Sequence, residues 1–192
     1  MQSEHRTQAL AARRALSARQ RQHHSAKILE TLKLLPSISN ARKLGFYFPM
    51  PDEVDVLPIQ TNSHAENKTY FLPIMVEGTK LEFAPYENNA QMQTSKLGVQ
   101  EPAHRASERL QANELDAVIV PLVAFDRHCN RIGMGAGYYD RSFSFRFATQ
   151  TSQAPILVGV AFEAQRIESI TSNTWDVPLD LVVTEKRLYQ RV

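Results

Sequence analysis

Residues 131–141, RIGMGAGYYDR, hold the densest concentration in the chain of groups able to do chemistry. Three glycines at alternate positions, Gly133, Gly135 and Gly137, permit positive φ and let a ligand approach main chain where a Cβ would collide. Successive N–H groups ahead of a helix form a positively polarised concavity suited to phosphate. Arg131 and Arg141 bracket the loop with guanidinium groups that can grip phosphate oxygens in bidentate fashion. Asp140 adds a hard carboxylate, as a magnesium–nucleotide site requires. The glycine spacing alone is a weak signal, because it matches neither the dinucleotide fingerprint nor the Gly-Lys-Ser/Thr of a Walker loop. A tight strand-to-helix turn would account for it. The two arginines, Asp140, Tyr138 and Tyr139 gathered at the same loop turn the expectation toward an anion site.

The rest of the composition narrows the chemistry further. At 192 residues the chain (1–192) is expected to form a single domain with a real core. Cys129 is the only cysteine, so an internal disulfide and a thiolate metal cage are excluded. No histidine is placed by sequence to activate its thiol, and Cys129 is not expected to be a nucleophile. The six histidines show no H-x-x-x-H or H-E-x-x-H spacing, which argues against zinc. No run approaches the ~18 apolar residues of a membrane helix. Arg13 and Arg14 interrupt the only N-terminal apolar segment, so no signal peptide is expected either. A cytoplasmic location is the resulting expectation.

Charge is uneven along the chain. Residues 1–43 carry nine Lys and Arg against Glu4 and Glu30, a net +7 that leaves −5 for the remainder of a chain whose total is +2. That asymmetry calls for a polyanionic partner, either nucleic acid or a small polyphosphate. Arginines of a surface helix are often only a solvated face. Arg6, far from the apolar stripe and near the N-terminus, can instead belong to an arm that folds over a site.

These groups must be positioned by regular elements, and the pattern predicts alternating ones. A basic helix is expected over residues 4–16. A Ser17–Gln20 capping box then restarts a second helix, with Ile28, Leu29, Leu32 and Leu35 on one stripe and Pro36 beyond its end. Residues 43–48 read as the first strand, and Phe48 and Glu53 fall at its exit, where open α/β sheets place ligands. Glu53 could equally be a favourable acid near the N-terminus of a helix that Asp55 caps and that runs to about Glu66. Short strands follow at residues 69–72, closed by Pro73, and at 81–84. Residues 85–100 read as a long loop or lid, Glu101-Pro102 as a turn, and 105–110 as a short helix.

Residues 116–124 are apolar on both faces and should be the central strand. A helix over 138–147, a buried strand over 156–162 and a last strand over 181–184 complete the chain. Trp175 is expected to be a packing anchor. The alternation argues for a three-layer α/β/α sandwich around a mostly parallel sheet, with basic N-terminal helices.

The full string PLVAFDRHCNRIGMGAGYYDR at residues 121–141 closely resembles the signature of the 5-formyltetrahydrofolate cyclo-ligases. The resemblance extends over nearly the whole chain. It takes in the basic start ending at Ser17, FYFPMPDEV at 46–54, FLP at 71–73, GVQEP at 98–102, WDVPLD at 175–180 and VVT at 182–184. It implies an ATP-dependent enzyme that converts 5-formyltetrahydrofolate to 5,10-methenyltetrahydrofolate, with ADP and phosphate released and magnesium required. In that family the formyl oxygen is thought to be phosphorylated, and the neighbouring N10 attacks before phosphate leaves. The protein's share in such chemistry is positioning and charge stabilisation at the transferring phosphoryl group.

By position, the resemblance implies ATP contacts from Arg6, Arg131, Ile132, Gly133, Met134, Gly135, Ala136, Gly137, Tyr138 and Tyr139. It implies folate contacts from Phe48, Glu53, Met134, Gly135, Ala136, Gly137 and Tyr138, with magnesium on Asp140 and Asp176. Arg131, Tyr138 and Asp140 carry the catalytic expectation. Partners are then the two small molecules, without nucleic acid or membrane, and the chain is expected to be monomeric. Two positions depart from the family pattern: Gln2 stands where Lys is common, and Val56 where Thr is usual. Two other classes stay open beside this reading, a nucleic-acid module built on the basic N-terminus and a different nucleotide-dependent enzyme such as a small-molecule kinase.

Overall fold

The computed structural model describes residues 2–60, 68–76, 80–94, 100–148 and 155–191. Two helices open the chain, α1 (Gln2–Ala15) and α2 (Ala18–Leu34). They are divided at Ser17, whose hydroxyl accepts from the Gln20 N–H (3.2 Å) while the Gln20 side chain accepts from the Ser17 N–H (2.9 Å). The expected capping box is therefore formed, satisfying two helix-start donors reciprocally. α2 buries Ile28, Leu29 and Leu32, and Pro36 begins the one-turn α3 (Pro36–Ser39).

The strands follow in order as β1 (Lys43–Gly45), β2 (Thr69–Met75), β3 (Leu81–Pro85), β4 (Met92–Thr94), β5 (Gln100–Pro102), β6 (Leu110–Gln111), β7 (Ala117–Pro121), β8 (Ala124–Phe125) and β9 (Arg131–Ile132). After α4 (Tyr138–Phe143) come β10 (Ile156–Val160), β11 (Leu181–Val183) and β12 (Leu188–Gln190). Eight strands form one sheet in the order β12-β11-β10-β7-β1-β2-β3-β6. The five from β11 to β2 run parallel, and β12, β3 and β6 add antiparallel edges.

β7 sits near the middle with Ala117 to Val120 all buried. Its side chains alternate between two cores, as the period of two in a strand dictates. Ala117 and Ile119 join the core under α2, while Val118 and Val120 join the core under α4 with Phe143. Both faces are thus covered, which explains why this strand reads as a continuous apolar run. The three-layer α/β/α arrangement around a mostly parallel sheet is present. Its second helical layer is thin, built from α4 and 3₁₀ turns.

Several local expectations are corrected. Pro73 lies inside β2, paired with Phe83 of β3, and does not close the strand. β1 pairs only as far as Phe71, so the donor that Pro73 lacks faces the side where its neighbour has ended. Glu101 and Pro102 belong to β5, which pairs with β4, so the segment expected as a loop carries a small antiparallel ribbon. Its residues 95–99, which include part of the GVQEP match, lie outside the described residues. After Asp55 the described chain makes only a 3₁₀ turn, Leu57–Ile59, with the Asp55 carboxylate accepting from the Leu57 N–H (3.1 Å). The remainder of the helix expected to reach Glu66 also lies outside the described residues. The helix expected over 138–147 tightens after Phe143 into a 3₁₀ turn, Ser144–Phe147.

Candidate active site

The chain leaves β1 for β2, β3 and β6 on one side, then returns to β7 and continues to β10 and β11 on the other. The direction of winding therefore switches between β1 and β7, and a crevice opens beyond their carboxyl ends. A cleft of about 900 Å³ lies there, lined by Tyr47 and Phe48 past β1 and by Pro121, Leu122 and Val123 at the end of β7. Every residue expected at the site lines it: Arg6, Phe48, Glu53, residues 131–140 and Asp176.

The glycine loop forms the floor. β8 and β9 make a short antiparallel ribbon that delivers the chain from the sheet to Gly133. The ribbon's turn is fixed by Asp126, almost wholly buried. Its carboxylate accepts from the His128 N–H (2.9 Å), the Asn130 N–H (3.1 Å) and side chain (2.9 Å), and the Ile170 N–H (3.0 Å). Cys129 occupies the same turn with φ 63°, buried and free. Burial and then the Asp126 charge push its thiol up to about 11, the environment of an inert thiol.

Gly135 (φ 102°) and Gly137 (φ 68°) adopt backbone that side chains resist, and Gly137 is the residue from which α4 begins. Gly133 has ordinary φ, and a Cβ there would meet open space. Two of the three glycines are thus required by the turn, and the third leaves the cleft clear. Met134 stands exposed on the rim.

The charges around the loop are less free than their spacing implied. Arg131 is tied down: one terminal nitrogen donates to the Val177 carbonyl and the other to Asp140 Oδ1 at 2.7 Å, leaving its side chain 6% exposed. Asp140 Oδ1 also accepts from the Val177 N–H (3.0 Å). Arg131 therefore braces the aspartate and the 175–180 segment. The bracketing guanidinium inferred from sequence is committed to protein partners. Arg141 donates to the Ala136 carbonyl and lies 5.4 Å over the Tyr138 ring. Tyr138 is half-buried, and its carbonyl accepts from Ser142 Oγ at 2.7 Å. Tyr139 stacks on Phe143, and its buried hydroxyl has no partner among the described residues. Burial, then the charge of Glu53, pushes that hydroxyl well above the ordinary phenol range.

Asp176 lies beside Val177 and so reaches the same end of the cleft as Asp140. Its Oδ2 accepts from the Asn173 N–H (2.7 Å) and side chain (3.1 Å). One oxygen on each aspartate thus remains without a partner among the described residues. No group of three or more His, Cys, Asp or Glu able to hold a metal occurs among the described residues. Two carboxylates suit magnesium all the same, since that ion usually keeps waters and borrows substrate phosphates.

Arg6 arrives from the opposite direction. α1 packs Ala9 against Val123, Ala124 and Ile132, which carries Arg6 over the loop, where its Nε donates to the Gly133 carbonyl at 3.0 Å. Gln2 is nearby in the lining, its side chain donating to the Thr171 carbonyl at 3.0 Å. At the other end of the cleft, Glu53 Oε2 accepts from the Met50 N–H (3.0 Å) and Oε1 from Arg13 Nη1 (3.4 Å). Burial raises the Glu53 carboxyl, opposed by the Met50 N–H and the Arg13 charge. Glu53 is held in a turn at the strand exit and lines the cleft.

Sequence reasoning passed over Arg13, Tyr47, Met50, Lys80 and Phe147. All but Arg13 line the cleft directly. Trp175, expected as a packing anchor, is 66% exposed on the cleft rim. Its neighbours Asp176 and Val177 are the anchored residues, and the indole is left outside. For Arg13 one signal was available: it shares a helix face with Arg6 and Ala9.

A doubly covered, mostly parallel sheet with a largely apolar cleft carrying a few polar groups at its winding switch is the architecture of an α/β enzyme acting on small molecules. The model of the 5-formyltetrahydrofolate cyclo-ligase family matches residues 1–185, and the chain belongs to that family. It is 34% identical over 167 residues to the 5-formyltetrahydrofolate cyclo-ligase of Haemophilus influenzae, covering 84% of this chain and 87% of the relative. The Escherichia coli K12 cyclo-ligase is 29% identical over 182 residues, covering 93% and 97%. The NMR structure of Aquifex aeolicus 5,10-methenyltetrahydrofolate synthetase superposes with a TM-score of 0.80 at 33% identity, over 98% of this chain and 92% of that one. The Mycoplasma pneumoniae synthetase gives 0.72 at 25% identity, over 96% and 98%.

Proposed function

We propose that this cleft converts 5-formyltetrahydrofolate to 5,10-methenyltetrahydrofolate at the expense of ATP, with the two substrates side by side across the β1/β7 switch point. The observation that carries the reading is convergence: Arg6, the 133–137 loop, Asp140, Asp176, Phe48 and Glu53 all line a single cleft. On this reading the ATP phosphates lie over the loop under Arg6, and the pterin lies toward Phe48 and Glu53. Tyr138, between them, faces the reacting formyl group. Magnesium, held by the unengaged oxygens of Asp140 and Asp176, would neutralise phosphate charge.

The protein's own work is then positional. Loop backbone and Arg6 hold the polyphosphate, and Glu53 fixes the ring. The apolar wall of Phe48, Pro121 and Leu122 excludes water that would otherwise intercept an activated formyl group. Arg131 acts through Asp140 and holds it at the required place. The same reading has the chain acting as a single-domain, monomeric, cytoplasmic catalyst with no nucleic-acid partner.

The test is an omission series, following the absorbance of the methenyl product with 5-formyltetrahydrofolate, ATP and magnesium each withheld in turn. Product should form only with all three present. Turnover without ATP, or none in the complete mixture, would sink the proposal.

A further inference from the structure

Arg13 is among the few charged residues sealed inside this protein, at 2% exposure, and the activity described so far gives it no task. It is not a spare ion pair. Its Nε and Nη2 grip the two oxygens of Asp52 at 3.2 and 3.1 Å, and its third nitrogen, Nη1, reaches Glu53 Oε1 at 3.4 Å. Arg14, the next residue, is 69% exposed and touches Asp52 only from outside, at 3.6 Å. A buried arginine whose fork spans two adjacent carboxylates sets the geometry of the turn that carries them. An ammonium group, as a point charge, could not fill that role.

We propose that Arg13 is the positioning residue for the folate end of the cleft: it orients the Glu53 carboxylate so that one acceptor site on each oxygen faces a ligand with two adjacent N–H donors. The inference rests on the reading of Glu53 as a substrate contact. An ionised carboxylate offers about four acceptor sites over its two oxygens. Arg13 occupies one on Oε1 and the Met50 N–H one on Oε2, which leaves a matched pair. The amino and ring N–H groups of a 2-amino-4-oxo ring present the complementary edge, and a carboxylate rotated out of plane would meet only one of them.

Arg13 also bears on charge. Glu53 faces Arg13 from α1, Asp52 in its own turn, Tyr47 beyond β1 and Tyr139 on α4. Of these only Arg13 is cationic, and it works against the burial that favours the neutral acid. Pairing with two N–H donors needs the ionised form. Folate binding should therefore weaken as pH falls through the Glu53 titration, and that limb should move to higher pH when the cation is removed.

The experiment measures kcat and both KM values across pH for Arg13→Gln, Arg13→Lys and Glu53→Gln in the full chain. R13Q is expected to raise the folate KM by about tenfold or more, with the ATP KM and kcat changing much less. Its acid limb in folate kcat/KM should move to higher pH. R13K, which keeps the charge and loses the fork, should leave the limb near its wild-type place and show an intermediate KM. If kcat and both KM values shift together, or the melting temperature falls with an unchanged folate KM, the positioning role is wrong and Arg13 is only structural. Should R13Q fail to fold, R13K and Asp52→Asn carry the same readouts, and a folded pair with wild-type folate KM overturns the inference. A wild-type folate KM in E53Q would instead remove the substrate reading of Glu53 itself, whatever the Arg13 variants do.

Discussion

Arg6 and Arg13 stand seven residues apart on one face of α1, the first over the glycine loop and the second behind the Asp52–Glu53 turn. At 1.5 Å per residue the two positions are separated by about 10 Å along the helix. Arg6 donates to the Gly133 carbonyl, while Arg13 holds Asp52 and Glu53. Ala9, between them on that face, is buried against the β8–β9 ribbon. Its small side chain lets the helix lie close enough for both arginines to reach inward. On the proposed reading a single helix seat would set both substrate sites, and the basic N-terminus would serve a polyphosphate and a carboxylate turn in place of a nucleic acid.

Arg6→Ala should raise the ATP KM strongly and the folate KM less. A charged contact to polyphosphate is worth on the order of 1.5–3 kcal/mol, or ten- to a hundredfold in affinity. In parallel, a salt titration of oligonucleotide binding should show no specific affinity to lose. Unchanged ATP kinetics together with weakened, salt-dependent oligonucleotide binding would reassign α1 to a nucleic-acid role.

Asp140→Asn and Asp176→Asn should both cut activity by orders of magnitude, yet differ in stability. Asp140 is the partner of the nearly buried Arg131, and neutralising it strands that cation, at a cost approaching 3 kcal/mol. Among the described residues the Asp176 carboxylate is bonded only to Asn173, in an exposed turn, so the melting temperature of D176N should hardly move. Raising magnesium should partly restore D176N. Melting curves and a magnesium titration check both statements, and near-wild-type turnover in both variants would place the metal elsewhere.

Asp126→Ala should unfold the signature from beneath. The substitution leaves four donors without their acceptor, three of them in the turn that ends at Asn130. Hydrogen bonds to a charged group contribute roughly 1.5–3 kcal/mol each and are not additive. A total loss of about 3–5 kcal/mol should lower the melting temperature by roughly 10 °C. Thermal denaturation that stays within a degree or two of wild type would show the turn to be held by other means.

Cys129 should resist alkylation while the protein is folded. The thiol is buried and pushed up to about 11, so the thiolate fraction at neutral pH is very small. Iodoacetamide at pH 7.5 should label it only after denaturation, with activity unaffected beforehand. Rapid labelling of the native enzyme, or inactivation at the same rate, would mean the turn opens readily.

Local signals were enough wherever the physics is local. The capping box at Ser17 and Gln20 and the apolar stripe of α2 depend on residues within a turn or two of each other, and both formed as expected. The continuous apolar run at β7 announced a strand covered on both faces. The requirement for glycine at 135 and 137 is likewise local, since only backbone conformation decides it. Pro73 shows where this reasoning fails. Whether proline can sit in a strand depends on where the neighbouring strand ends, and that neighbour lies 26 residues away in register.

The residues proposed for the site, from Arg6 and Phe48 to Asp176, and the chemistry those types can support were readable from the sequence itself, because side-chain type alone decides what chemistry a group can do. What each charge is free to do was decided only by tertiary structure. Arg131 and Arg13 look alike as arginines flanking or preceding a motif, yet one is bound to Asp140 and Val177 and the other to Asp52 and Glu53. Trp175 looks like core and stands in solvent because its neighbour Val177 supplies the anchor instead. Such pairings join elements that are distant along the chain, and no local pattern encodes them. They follow from how α1, the 175–180 segment and the glycine loop pack at the end of one sheet.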